Sequence, residues 1–133
     1  MSVQDTYTEE ERIKMMEADG KSLQFVYLKY RTEAVCLAAV KEYALALKHV
    51  PKQTEEMCKI AIDKNPIAIK YVKNQTEELC LKAVTKWGQS LQYIKTQTPI
   101  VCYEAIKQDQ DAANFVTNSS VLDTLGISRH DKR

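Results

Sequence analysis

Four cysteines, Cys36, Cys58, Cys80 and Cys102, follow one another at intervals of 22 residues, and the chain around them repeats in step. Thr32-Glu33-Ala34-Val35-Cys36, Thr54-Glu55-Glu56-Met57-Cys58, Thr76-Glu77-Glu78-Leu79-Cys80 and Thr98-Pro99-Ile100-Val101-Cys102 align without a gap. A period of this length is the signature of a tandem array of supersecondary units, each unable to bury its apolar face alone. It constrains the fold more tightly than any local propensity.

The register continues beyond the cysteines. Alanine recurs at Ala39, Ala61, Ala83 and Ala105, followed by Val40, Ile62, Val84 and Ile106. Leu47, Ile69, Leu91 and Ala113 come next, then an aromatic residue or His at His49, Tyr71, Tyr93 and Phe115, then Val50, Val72, Ile94 and Val116. Three copies close with Gln53, Gln75 and Gln97. Leu23-Gln24-Phe25-Val26 matches Leu91-Gln92-Tyr93-Ile94, which makes 8–31 an earlier, degenerate copy with two extra residues after Val26 and Arg12 in the cysteine slot. Such an atypical first unit suits a capping repeat, whose outer face meets water.

Each copy reads as two short helices. Cys36, Ala39, Val40 and Tyr43 share one helical face, and the recurrent Thr stands where its hydroxyl can accept a first-turn N–H. Thr8 and Glu11 match the capping-box pattern. Pro99 falls at a first helical position, Pro66 opens a second helix, Pro51 ends another, and Gly20 and Gly88 occupy the break between helices. The expected architecture is all-α: a short α-solenoid of two-helix repeats with a 22-residue period. It forms a single domain over 1–133, with a capping copy at 8–31, copies at 32–53, 54–75, 76–97 and 98–119, and a C-terminal cap and tail over 120–133. Gly126 is placed to terminate a last helix, and the chain from Ile127 onward is expected to fray.

Several function classes are excluded or left without support. The net charge of +1 carries no global field for nucleic acid or acidic membranes, and the apolar runs are too short to span a bilayer. Met1-Ser2-Val3-Gln4-Asp5 has no secretory character, which leads us to expect a cytoplasmic protein. Equivalent positions of neighbouring helices lie too far apart for disulfides, and 22-residue spacing is not a zinc-ligand pattern, so the cysteines read as small core residues. No phosphate loop, metalloprotease motif or nucleophile elbow is present. We therefore expect no enzyme activity, no cofactor and no metal.

What remains is surface. Tyr43, Asn65, Trp87 and Asp109 are equivalent yet different, as are Leu37, Lys59, Leu81 and Tyr103. Positions that vary between copies are not fixed by shared packing, so they are where a partner would be recognised. The candidate partner-binding residues are Tyr43, Trp87 and Tyr103, with Lys48 and Lys70 as equivalent lysines. A protein partner is the leading expectation. The competing readings are nucleic acid bound by Lys48, Lys70 and the aromatic ladder, and a homo-oligomer stacked end to end through the caps.

The stretch from Gln75 to Val84, continuing through Leu91-Gln92-Tyr93-Ile94-Lys95, resembles the short helical repeat found in long tandem arrays in giant viruses of amoebae and in some bacteria. The likeness covers Thr32 to Val116 well and Thr8 to Val26 loosely, and departs at Arg12, Asp109 and Gln110. It implies helical repeats and a viral source, with residence in host cytoplasm. It carries no catalytic residues to transfer.

Overall fold

Each recurrent threonine starts a helix. In the computed structural model, which describes residues 2–127, these helices are α1 (Glu9–Ala18), α2 (Glu33–Glu42), α3 (Glu55–Lys64), α4 (Glu77–Lys86) and α5 (Pro99–Gln108), with α6 (Ser119–Leu125) closing the described chain. Thr8, Thr32, Thr54, Thr76 and Thr98 are the N-caps, and each hydroxyl accepts the N–H of the third helical residue. In α1 the Glu11 carboxylate accepts the Thr8 N–H in return, completing the capping box. Among the described residues every regular element is helical, and no helix is long and apolar enough to cross a membrane.

The second helix of each copy is a 3-10 helix: Gly20–Phe25, Ala44–His49, Pro66–Tyr71, Gly88–Tyr93 and Gln110–Phe115. An i, i+3 seed such as Leu47 and Val50 does not distinguish the 3-10 form from the α form, and six residues are too few for a self-sustaining α ladder. One extended residue, Asp19, Tyr43, Asn65, Trp87 or Asp109, serves both as C-cap of the α-helix and as N-cap of the 3-10 helix. Asp19, Asn65 and Asp109 accept a backbone N–H on their side chains at this junction, from Lys21, Ile67 and Asp111. Tyr43 and Trp87 make no such bond.

The recurring apolar residues are the core. Val35, Cys36, Ala39 and Val40 are buried in α2, as are their counterparts Met57, Cys58, Ala61 and Ile62, then Leu79, Cys80, Ala83 and Val84, then Val101, Cys102, Ala105 and Ile106. Leu47, Ile69, Leu91 and Ala113 are buried from the 3-10 helices, followed by Val50, Val72, Ile94 and Val116. The alanines permit close approach, and at two junctions even alanine would be too large. A Cβ on Gly20 would lie 2.5 Å from the Ala39 carbonyl oxygen, and one on Gly88 2.3 Å from that of Ala105.

The contacts divide the chain into two compact units, Met1–Val72 and Lys73–Arg133. In the first, α2 packs against both α1 and α3, with the 3-10 helices of successive copies side by side. In the second, α5 packs against α4 and α6, and the 3-10 helices Gly88–Tyr93 and Gln110–Phe115 lie together. Helix α6 is capped by the Asn118 side chain and ends at Gly126 in the left-handed conformation (φ 68°). Ile127 is tied down rather than frayed: its N–H donates to the Leu122 carbonyl at 2.9 Å. The tail from residue 128 on lies outside the described residues.

Candidate functional site

The recurrent glutamine has a role that its spacing alone did not disclose. The Gln53 side-chain amide donates to the Leu47 carbonyl of one copy (3.2 Å) and to the Tyr71 carbonyl of the next (2.8 Å). Gln97 does the same with Leu91 (3.1 Å) and Phe115 (3.0 Å), and its Oε1 accepts the Thr117 N–H at 3.0 Å. Gln75 donates to Tyr93 O (3.0 Å) and accepts from the Lys95 N–H (2.9 Å). Each amide thus satisfies backbone groups where a 3-10 helix ends. The aromatic ladder marks the carbonyls that are held.

The first copy builds the same clamp from different residues. Arg31, in the slot of the glutamines, donates to Val26 O (2.7 Å), Gln24 O (3.2 Å) and His49 O (2.9 Å). Gln4, from a short 3-10 turn at Val3–Thr6, donates to Phe25 O and accepts the Tyr27 N–H at 2.7 Å. Arg12 is buried in the cysteine slot, with its guanidinium carbon 3.7 Å from the Tyr30 ring centre and Nη2 donating to Gln4 O at 2.6 Å. The two extra residues after Val26 are absorbed in a further 3-10 turn, Leu28–Tyr30.

All four cysteines are free and buried, and burial raises their thiol pKa values, to about 11 at Cys36 and Cys80. Cys58 and Cys102 point their thiols at the Oε1 atoms of Gln53 and Gln97, both at 3.8 Å. Among the described residues, no group of three His, Cys, Asp or Glu could hold a metal ion.

The five candidate partner residues fall into two sets. Tyr43 and Lys48 line one depression of about 160 Å³ in the first unit, together with Lys21, Gln24, Leu45, His49 and Tyr71. Lys21 Nζ lies 5.4 Å from the Tyr43 ring centre, and Lys48 and Lys70 Nζ each lie 5.6 Å from that of Tyr71. The pKa of His49 is lowered, chiefly by burial and further by the charges of Lys48 and Arg31. Lys21 and Tyr71 complete this cluster; Tyr71 entered the sequence reading only through the aromatic ladder of the nucleic-acid alternative, and Lys21 had no binding role there. Trp87 and Tyr103 belong to the second unit: Trp87 is half-buried at its junction, and Tyr103 is 46% exposed on α5.

A second surface is apolar. Val3, Tyr7, Met15, Phe25, Tyr27 and Leu28 are all exposed, Phe25 and Leu28 by about two thirds. Met15 holds the slot that buried alanines fill in later copies. Tyr7, Met15, Phe25 and Val26 share a depression of about 160 Å³ with Gln4, Arg12 and Ser22. Family models, curated proteins and solved structures give no match to the chain.

Proposed function

We propose that the chain is a non-enzymatic helical-repeat module for protein–protein interaction or assembly, in which the 22-residue copies form a short α-solenoid. The observation that supports this reading is how residue roles are divided. Recurring residues are consumed by caps, core and clamps, whereas none of the varying positions is fully buried: Lys48, Lys70 and Tyr103 are exposed, and Tyr43, Asn65, Trp87 and Asp109 are half-buried. On this reading the protein acts in the cytoplasm through surface contacts, and the giant-virus repeat is its kin.

The test is affinity capture by the purified chain beside a Trp87→Ala, Tyr103→Ala variant of unchanged helicity. Any captured protein is then purified and titrated back. The expected result is one partner that binds wild type and loses affinity for the variant. If neither bait retains a protein that binds back, and neither self-associates in sedimentation, the reading fails.

The exposed apolar residues between Val3 and Leu28 favour a second reading, self-assembly through the first copy. Sedimentation velocity over a range of concentrations would then show oligomers that Phe25→Ser, Leu28→Ser disperses. A monomer at every concentration removes this reading.

A further inference from the structure

We propose that the 3-10 face of the first unit is a binding site for an extended acidic peptide, whose carboxylates pair with Lys21 and Lys48 across the Tyr43–Tyr71 depression. Three observations converge on it.

The first is charge. The 3-10 helices Gly20–Phe25, Ala44–His49 and Pro66–Tyr71 contain Lys21, Lys48 and Lys70 and not one Asp or Glu. No carboxylate lines the depression, and among the described residues neither Lys21 nor Lys48 makes an ion pair. The nearest acids in sequence are Asp19, whose carboxylate accepts the Lys21 backbone N–H at the start of the first 3-10 helix, and Glu42, beside Tyr43, and neither lines the depression. A concave patch lined by cations and no carboxylate attracts the opposite sign.

The second is preorganisation. The Lys21 and Lys48 ammonium groups sit within cation–π range of Tyr43 and Tyr71 rather than sweeping freely through water. Ordering long side chains is a large part of what opposes binding, and here part of that ordering precedes the ligand.

The third is shape. A depression of about 160 Å³ is smaller than the usual small-molecule site, yet it has room for a carboxylate side chain. Nucleic acid fits less well. Bases stack on open aromatic faces, and here ammonium groups approach the Tyr43 and Tyr71 rings.

The probe is a short fluorescent peptide of alternating Glu and Ser, titrated by anisotropy at low ionic strength against the whole chain. Wild type should bind the peptide, ignore the Gln–Ser version, and weaken as salt is added. Lys21→Gln, Lys48→Gln should lose roughly tenfold in affinity with an unchanged circular dichroism spectrum. Lys95→Gln, Lys107→Gln, with the same change in net charge but outside the site, should bind as wild type. The proposal is overturned if the site variant binds as wild type, or if the control variant loses as much, since net charge alone would then suffice. It is also overturned if an oligothymidylate binds more tightly than the peptide and loses affinity in the site variant.

Discussion

The two units are made from the same parts and finished differently. Both carry capped ten-residue α-helices followed by six-residue 3-10 helices, and both close these with side-chain clamps on the carbonyl of the ladder residue. The surfaces of those 3-10 helices diverge. The first unit shows Lys21, Lys48 and Lys70, whereas the second shows Gln89 and Gln92, then Asp111 and Asn114. The clamp also varies in chemistry, an amide at Gln53, Gln75 and Gln97 but a guanidinium at Arg31. What is held constant is the satisfaction of particular backbone groups. The charge displayed above them differs from copy to copy.

The largest expected effect comes from breaking that constant. Gln97→Leu keeps the volume and strips partners from the Phe115 carbonyl and the Thr117 N–H. It should cost about 2 kcal/mol, read as a lower urea midpoint at unchanged slope. Arg31→Leu should cost a similar amount, because three carbonyls lose their donor. Arg31→Gln sharpens the comparison. If the amide of the later copies substitutes for the guanidinium, most of the stability returns. If it does not, the reach required by the two extra residues after Val26 is what selects arginine.

Much of this architecture was legible because capping is local. A Thr followed by a helix, Pro99 and Pro66 at first positions, and Gly126 past a last turn can each be read from a few neighbouring residues. The glutamine clamp could not be read so, although its 22-residue recurrence was in plain view. Its acceptor lies 18 residues ahead in sequence, and a period reveals which residues are equivalent without revealing which touch. The candidate site was legible to the same degree. Tyr43 and Lys48 emerged from their equivalence classes, whereas Lys21 belongs to the degenerate copy and Tyr71 read as a rung of the ladder, for packing or for base stacking. The 3-10 form of the second helix was hidden because three-residue spacing suits both helix types.

A smaller effect of opposite sign is expected at Ser90. Its hydroxyl is fully buried and, among the described residues, makes no hydrogen bond, while the equivalent residues of the neighbouring copies are Ala46, Ala68 and Ala112, all buried. Ser90→Ala removes an unsatisfied polar atom without opening a cavity larger than one oxygen. It should stabilise the chain by about 1 kcal/mol, seen as a higher urea midpoint. A loss of stability would mean that the hydroxyl has a partner in solution, which would distinguish this copy from the three that carry alanine.

The cysteines should barely distinguish the units, and this makes them a probe of whether the units open separately. Burial holds Cys36 in the first and Cys80 in the second at about 11, against an ordinary 9.0. At neutral pH the folded thiols are therefore inert, and alkylation must pass through an opened chain whose thiols ionise normally. In variants that retain one cysteine each, the labelling rate should rise about tenfold per pH unit and level near 9. Attack on the folded thiol would instead keep climbing toward about 11. The linkage has a definite sign: above pH 9 the unfolded chain releases protons that the folded chain keeps, so stability falls as pH rises through that window. Equal rates at Cys36 and Cys80 mean that the two units open together. A faster rate at one identifies the unit that opens by itself, and Gln97→Leu should then accelerate Cys80 while leaving Cys36 unchanged.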